Sequence, residues 1–315
     1  MWTVRILVTG SNGFIGCHLS ALLRMRGHIV FGVDSGSAQV LAWLRKERSD
    51  HSGIAAFNCD ITDTGSLAEL LSIVTPDVVV HLAAKPGVAG AESHPDAYDA
   101  VNTRGIQSLV RACQEVKVRR VIHASSSSVY GGALGPITET AELRPLGHYG
   151  RTKMRGELHL QAAAESGVLD VLILRPFSVI GPMGRPDMAP WRFADDLLNG
   201  RMVSVHDGAG RDFTSVHDVA MAFALAAESE ISGCHVVNIG AGEPHQAIEL
   251  AEGLAQAMGC SCISSFLPLP TYMPLSTHAE IGRASALLGW KPKVKFTDAV
   301  AEFGEWFIKA HRDNS

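Results

Sequence analysis

The stretch VTGSNGFIG, Val8 to Gly16, joins a β-rich run, VRILVT, to a segment with helix-spaced apolar residues, FIGCHLSALLRMRG. Gly10, Gly13 and Gly16 fall at every third position. A chain that turns from strand into helix over so few residues needs them, because glycine accepts positive φ without strain and lets two backbone segments touch. A strand handed directly to a helix in this way opens a parallel sheet.

Working outward, the same alternation continues. Short apolar runs recur as HIVFGVD, IAAFN, DVVVHLAA, RVIHASS and DVLILRP, rich in the Val, Ile and Leu expected of strands buried on both faces. Between them lie helical stretches such as PDAYDAVNTRGIQSLVRACQEV. The pattern predicts an α/β fold, a doubly wound parallel sheet of the Rossmann kind, with ligands at the carboxyl ends of the strands. After about Gly181 prolines and shorter elements loosen the rhythm. This predicts one domain over 1-180 and a smaller α/β lobe over 181-315, some of whose segments return to the first domain.

Composition bounds the partners. With 315 residues, 46% hydrophobic and 19% charged, the chain reads as a globular enzyme and not as a disordered one. A net charge of −5 gives no reason to expect nucleic acid or an anionic membrane, so an anionic ligand must find local cations. The first residues run straight into a strand pattern without a leader, and no apolar run approaches the ~18 residues of a membrane span. The six cysteines lack metal-ligand spacing, and Cys260-Ser-Cys262 reads as chance. A cytoplasmic protein with reduced thiols and no metal is expected.

The glycine loop also suits a ligand. Its N–H groups can approach a pyrophosphate at the positive end of the helix, although an ordinary strand-to-helix turn looks the same. The second strand ends in Asp34, where a carboxylate accepts hydrogen bonds from an adenosine ribose 2′-hydroxyl and repels a 2′-phosphate. The alternative is an aspartate that simply opens the turn DSGS. Loop and carboxylate together favour NAD over NADP.

A second site is signalled by ASSSSVYGG, Ala124 to Gly132. Serine tracts usually mark linkers, but this one lies between a strand-like run and Val129-Tyr130, which favour strands. Some twenty residues later HYGRTK places Tyr149 and Lys153 at i and i+4, on one face of a helix. A lysine so placed can lower the tyrosine pKa from about 10, each unit being worth ~1.4 kcal/mol, and the pair then forms a general base.

Taken in order, TGSNGFIG, DIT from Asp60, HLAA from His81, SSSSVYG, YGRTK and RPFSVIGP span most of the chain and resemble the extended short-chain dehydrogenase/reductase family. The resemblance implies a catalytic triad of Ser126, Tyr149 and Lys153. For NAD it implies a site built from Gly10, Asn12, Gly13, Phe14, Ile15, Gly16, Asp34, Asp60, Ile61, Leu82, Ala83, Ala84, Tyr149, Lys153, Pro176 and Val179. The 1-180 domain is then NAD-binding and the 181-315 lobe mainly UDP-sugar-binding.

Within that family, GPMGRPDMAPWRF and GAGRDFTSVHDVA are similar to segments of the NDP-sugar epimerase branch, closest to UDP-glucuronate 4-epimerases. Arg211 carries over as a diphosphate ligand, and Arg185 and Arg192 as ligands for phosphate or the sugar carboxylate. The alternative for each is a surface ion pair with Asp187 or Asp212. Sugar-nucleotide dehydratases and UDP-glucuronate decarboxylases place a glutamate where this chain has Ser128. Ser126, Ser127, Ser128 and Ser178 line the substrate, and the last three can hydrogen-bond a C5 carboxylate. One departure stands out: the uronate enzymes commonly read AGVRYS where this chain reads PGVAGA, so Ala89 replaces an arginine.

The implied reaction is NAD-dependent 4-epimerisation of UDP-glucuronate to UDP-galacturonate by a homodimer. C4 is oxidised transiently, the 4-keto sugar rotates, and hydride returns to its other face. UDP-glucose 4-epimerase is the alternative, followed by UDP-glucuronate decarboxylase and by a non-enzymatic NAD-binding protein.

Overall fold

The computed structural model describes residues 2-36 and 41-314. The six apolar runs form β1 (Arg5–Thr9), β2 (Ile29–Asp34), β3 (Ala56–Asn58), β4 (Val78–His81), β5 (Arg120–Ala124) and β6 (Asp170–Pro176). Later come β7 (Ser178–Ile180), β8 (Val203–His206), β9 (Gly210–Ser215), β10 (Cys234–Ile239), β11 (Pro244–Gln246) and β12 (Ser264–Leu267).

Seven strands make one parallel sheet in the order β10-β6-β5-β4-β1-β2-β3. The order reverses between β1 and β4, and the crevice beyond their carboxyl ends is where ligands of such sheets bind. Alternation along each strand feeds two cores. Ile6 and Val8 join Ile122 and Leu172 against Val219 and Phe223 of the helix Val216–Glu228. Leu7, Val121 and Ile173 pack on the other side with Leu71, Leu109 and Leu160. All are buried, each worth roughly 1.5 to 3 kcal/mol against exposure.

A second group of elements begins after β6. Its strands pair as β11-β9-β7 and as β12-β8, over a core containing Trp191, Leu254, Phe303 and Phe307. Strand β10, although it follows these elements in sequence, returns to the main sheet beside β6. The stretch read as one long helix from Pro95 is divided into a helix Pro95–Asp99, a π-helical turn Ala100–Arg104 and a helix Gly105–Val116. Such turns recur at functional sites. Among the described residues, no helix is long and apolar enough to cross a membrane.

Candidate active site

The glycine loop is built for close contact. Gly10 has φ +69°, and a Cβ there would stand 2.8 Å from the Ala83 nitrogen on the loop after β4. A Cβ on Gly16 would lie 2.1 Å from the Gly10 oxygen. The helix Phe14–Met25 starts at Gly13 without a side-chain cap, so its first-turn N–H groups are left for a ligand. Ser11 Oγ and Asn12 Oδ1 are buried beside it with no hydrogen-bond partner among the described residues. Asp34 reaches back to accept from the Asn12 nitrogen at 3.3 Å, which holds its carboxylate across the loop. Cradle, open donors, orphaned polar atoms and carboxylate fit a dinucleotide, as P-loop-free Rossmann sites do.

The other residues expected at an NAD site lie around the carboxyl ends of the strands. The Leu82 nitrogen donates to the Thr9 oxygen and the Ala83 nitrogen to Thr9 Oγ1, tying the end of β4 to that of β1. Ala84 is half-buried beside them, Pro176 and Val179 are buried around the end of β6, and Phe14 and Ile15 open the helix. Asp60 is exposed, and its Oδ1 accepts from the Thr62 nitrogen at 2.9 Å and hydroxyl at 2.8 Å. Ile61 is buried against Gly105.

The serines end β5. Ser126 is extended and caps the short 3-10 helix Ser127–Tyr130, its Oγ accepting from the Ser128 nitrogen and donating to Ser128 Oγ, both at 3.1 Å. Ser126, Ser127 and Ser128 remain half-buried, whereas Ser125 points into the core. Across from them the helix His148–Glu165 carries Tyr149 and Lys153. Gly150 permits that approach, since a Cβ there would come within 2.5 Å of the Ser128 oxygen.

Burial pushes the Tyr149 phenol up, opposed by the Arg185 guanidinium and a hydrogen bond with Ser126. Lys153 is buried, donates to the Ala124 oxygen at 2.8 Å, and is lowered by that burial to about 8, with the Glu157 carboxylate acting against the fall.

The arginines divide by environment. Arg185 forms a bidentate pair with Asp187 at 2.9 and 2.5 Å, as the alternative reading of that residue has it, and still acts on Tyr149. Arg192 is exposed on the helix Ala189–Leu198. Among the described residues, Arg211, on β9, donates only to the Gly210 and Leu275 oxygens, at 2.6 and 3.1 Å. Burial lowers it to about 10, and a cation so placed, with no carboxylate partner among the described residues, favours an anionic ligand. Ser178 opens β7, paired in register with Phe213 two residues beyond Arg211. Ala89 is exposed on the helix Val88–Ser93, and its neighbour Gly90 leaves space filled by the Tyr98 hydroxyl, which donates to the Pro86 oxygen at 2.6 Å.

Sequence reasoning missed Asn102. It sits in the π-helical turn, where its side chain accepts from the Lys85 nitrogen at 2.7 Å and donates to the Lys85 oxygen at 3.0 Å and to Thr152 Oγ1 at 3.1 Å. It thereby ties the loop after β4 to the helix that carries Tyr149. The only local signal was an asparagine in the middle of a helical pattern, where it is a poor former.

Known proteins resemble this chain over most of its length. The model of the NAD dependent epimerase/dehydratase family matches residues 6–240. A probable UDP-glucuronate 4-epimerase of Rhizobium meliloti is 30% identical over 336 residues, covering 98% of each chain. The crystal structure of UDP-glucuronic acid 4-epimerase from Bacillus cereus, in complex with UDP-glucuronic acid and NAD, is similar with a TM-score of 0.91 at 33% identity, over 96% of this chain and 99% of that one. A UDP-glucose-4-epimerase of Stenotrophomonas maltophila with bound NAD and formylated UDP-arabinopyranose reaches 0.90 at 28% identity, over 98% and 99%.

Proposed function

The chain belongs to the NAD dependent epimerase/dehydratase family, and from that premise we propose that it interconverts UDP-glucuronate and UDP-galacturonate at C4. The observation that carries the reading is the end of β5, where the joined hydroxyls of Ser126 and Ser128 stand opposite the helix of Tyr149 and Lys153 and no carboxylate takes the place of Ser128. Bound NAD⁺ supplies a hydride acceptor for C4 and, once reduced, the donor. Gly10, Gly13 and Gly16 would hold its pyrophosphate and Asp34 its adenosine ribose.

The chain's own groups handle proton and position. Tyr149 takes the proton of the sugar 4-hydroxyl, directly or through Ser126, and returns it after the sugar has turned. Lys153 supplies the nearby ammonium that favours the phenolate. Arg211 anchors the diphosphate, so the keto sugar can rotate without leaving. Arg185 and Arg192 are the further anion ligands, with Arg185 released from Asp187 as the carboxylate or phosphate arrives.

A 4-keto uronate is a β-keto acid and loses CO₂ when its C5–carboxylate bond aligns with the carbonyl π system. Ser127, Ser128 and Ser178 hold the carboxylate out of that alignment, a restraint on ground-state geometry. Residues 1-180 then serve mainly NAD and 181-315 mainly the UDP-sugar. The family resemblance also supports a cytoplasmic homodimer, the dimer being checked by sedimentation of the purified protein.

The test is product analysis with UDP-glucuronate, UDP-galacturonate and UDP-glucose. Interconversion of the two uronates is expected. Turnover of UDP-glucose alone would make the protein a neutral-sugar epimerase, and a UDP-pentose from UDP-glucuronate would make it a decarboxylase.

A further inference from the structure

Behind the reacting groups lies a second set of charges that the epimerase reading does not use. Glu157 is one helical turn beyond Lys153, and both side chains are buried. Its carboxylate receives the Arg175 guanidinium in a bidentate pair, Nε at 2.9 Å and an Nη at 2.6 Å. The Ser125 hydroxyl donates to the same carboxylate. Arg175 continues to the Tyr130 hydroxyl at 2.8 Å, and that hydroxyl donates to Asn238 Oδ1 at 2.6 Å. The network joins β5, β6, β10 and the 3-10 helix to the helix that bears Tyr149.

Two consequences follow from the positions alone. Lys153 and Glu157 dock on consecutive residues, the amine on the Ala124 oxygen and the carboxylate on the Ser125 hydroxyl. These two contacts fix where the helix sits along β5, and so where Tyr149 meets Ser126. The second consequence concerns charge. Tyr149 and Glu157 lie one turn to either side of Lys153 on its own helix, and the lysine acts on His81 of β4 and His123 of β5, whose rings stack 5.3 Å apart. Both histidines are held neutral by burial and by the lysine itself, and β6 adds the cation Arg175. The one negative group acting on the ammonium in this set is Glu157.

We propose that Glu157 is a positioning residue for the reaction: through Ser125 it sets the register of Tyr149 against Ser126, and through its charge it keeps Lys153 an ammonium. Breaking one partner of a buried network normally costs stability whatever its role. The test therefore reads quantities that stability does not move.

Glu157→Gln keeps the shape and an acceptor for Ser125 but removes the charge. Competitive acetylation of the cofactor-free protein, read at Lys153 by peptide mass spectrometry across pH, should show the midpoint falling by about one pH unit. An unchanged midpoint in folded variant overturns the charge role. This readout needs no turnover, so it is decided even where the epimerase reading, on which the kinetic arm rests, has failed with the wild type inactive. In the kinetic arm the alkaline limb of kcat should move down with the acetylation midpoint, whereas Glu157→Asp should retain the wild-type limb with reduced kcat.

Ser125→Ala leaves the Glu157–Arg175 pair intact and tests the register even where Glu157→Gln does not fold. Its kcat should fall about tenfold, with KM and the pH limb unchanged. Wild-type kcat in Ser125→Ala overturns the positioning role.

Discussion

Arg211 and Asp212 are adjacent on β9 yet make no ion pair. The Asp212 carboxylate accepts from the backbone nitrogens of Ala241, Gly242 and Ala279, at 2.6, 3.0 and 2.9 Å. The guanidinium is left with two carbonyl oxygens. One residue is thus committed to the fold and its neighbour is available to a ligand.

Arg211→Ala should weaken UDP and every UDP-sugar alike, by ~2 to 5 kcal/mol, the usual cost of losing one side of a buried charged contact. Asp212→Asn should instead lower Tm and leave UDP affinity nearly unchanged. Calorimetry of both variants checks the division, and equal UDP binding by Arg211→Ala and wild type would remove Arg211 from the site.

Tyr149→Phe should lose ~10² to 10⁴-fold in kcat while still folding and binding NAD, because only the proton-transferring oxygen is removed. Near wild-type turnover in this variant would mean that another group is the base.

Replacing Asp34 with a neutral residue should weaken NAD and ease the penalty against NADP. The carboxylate also accepts from Asn12 and Gly36, so part of the loss reflects the loop itself. An unchanged ratio of the two affinities in cofactor-free protein would reduce Asp34 to a turn residue.

Lys153 carries a pH signature. Burial lowers it from 10.5 to about 8, so between those values the unfolded chain binds more protons here and stability rises with pH; the penalty is complete below about 8. Lys153→Met should therefore melt above the cofactor-free wild type at pH 7, with a gain that shrinks toward pH 10, while turnover is lost. A Tm difference independent of pH would show that the amine is not strained by burial.

Much of the site could be read from the chain because its chemistry is local. The glycines of the first loop, Asp34 at the end of β2, the serines after β5 and the Tyr149/Lys153 spacing each lie within a few residues of a strand or along one helical face. What escaped is nonlocal. Glu157, Arg175, Tyr130 and Asn238 are spread over more than a hundred residues and look in isolation like ordinary helix, strand and turn residues. Arg48, buried and bonded to the Met183 and Gly184 oxygens, reads in sequence as part of a solvated charge run. The interruption of the helix at Asn102 depends on the loop after β4, which periodicity does not reveal. That Cys234–Ile239 would be the strand beside β6 also depends on tertiary packing.

In the proposed reaction C4 is oxidised and re-reduced by the same hydride while the carboxylate is kept. Proton chemistry at carbon would leave a solvent hydrogen on the ring, as dehydration and decarboxylation do. UDP-glucuronate incubated with the protein in D₂O, followed by mass spectrometry and proton NMR, reads both features together. The expected product is UDP-galacturonate with no carbon-bound deuterium and no UDP-pentose. Deuterium on the sugar ring, or a UDP-pentose as the main product, would contradict it.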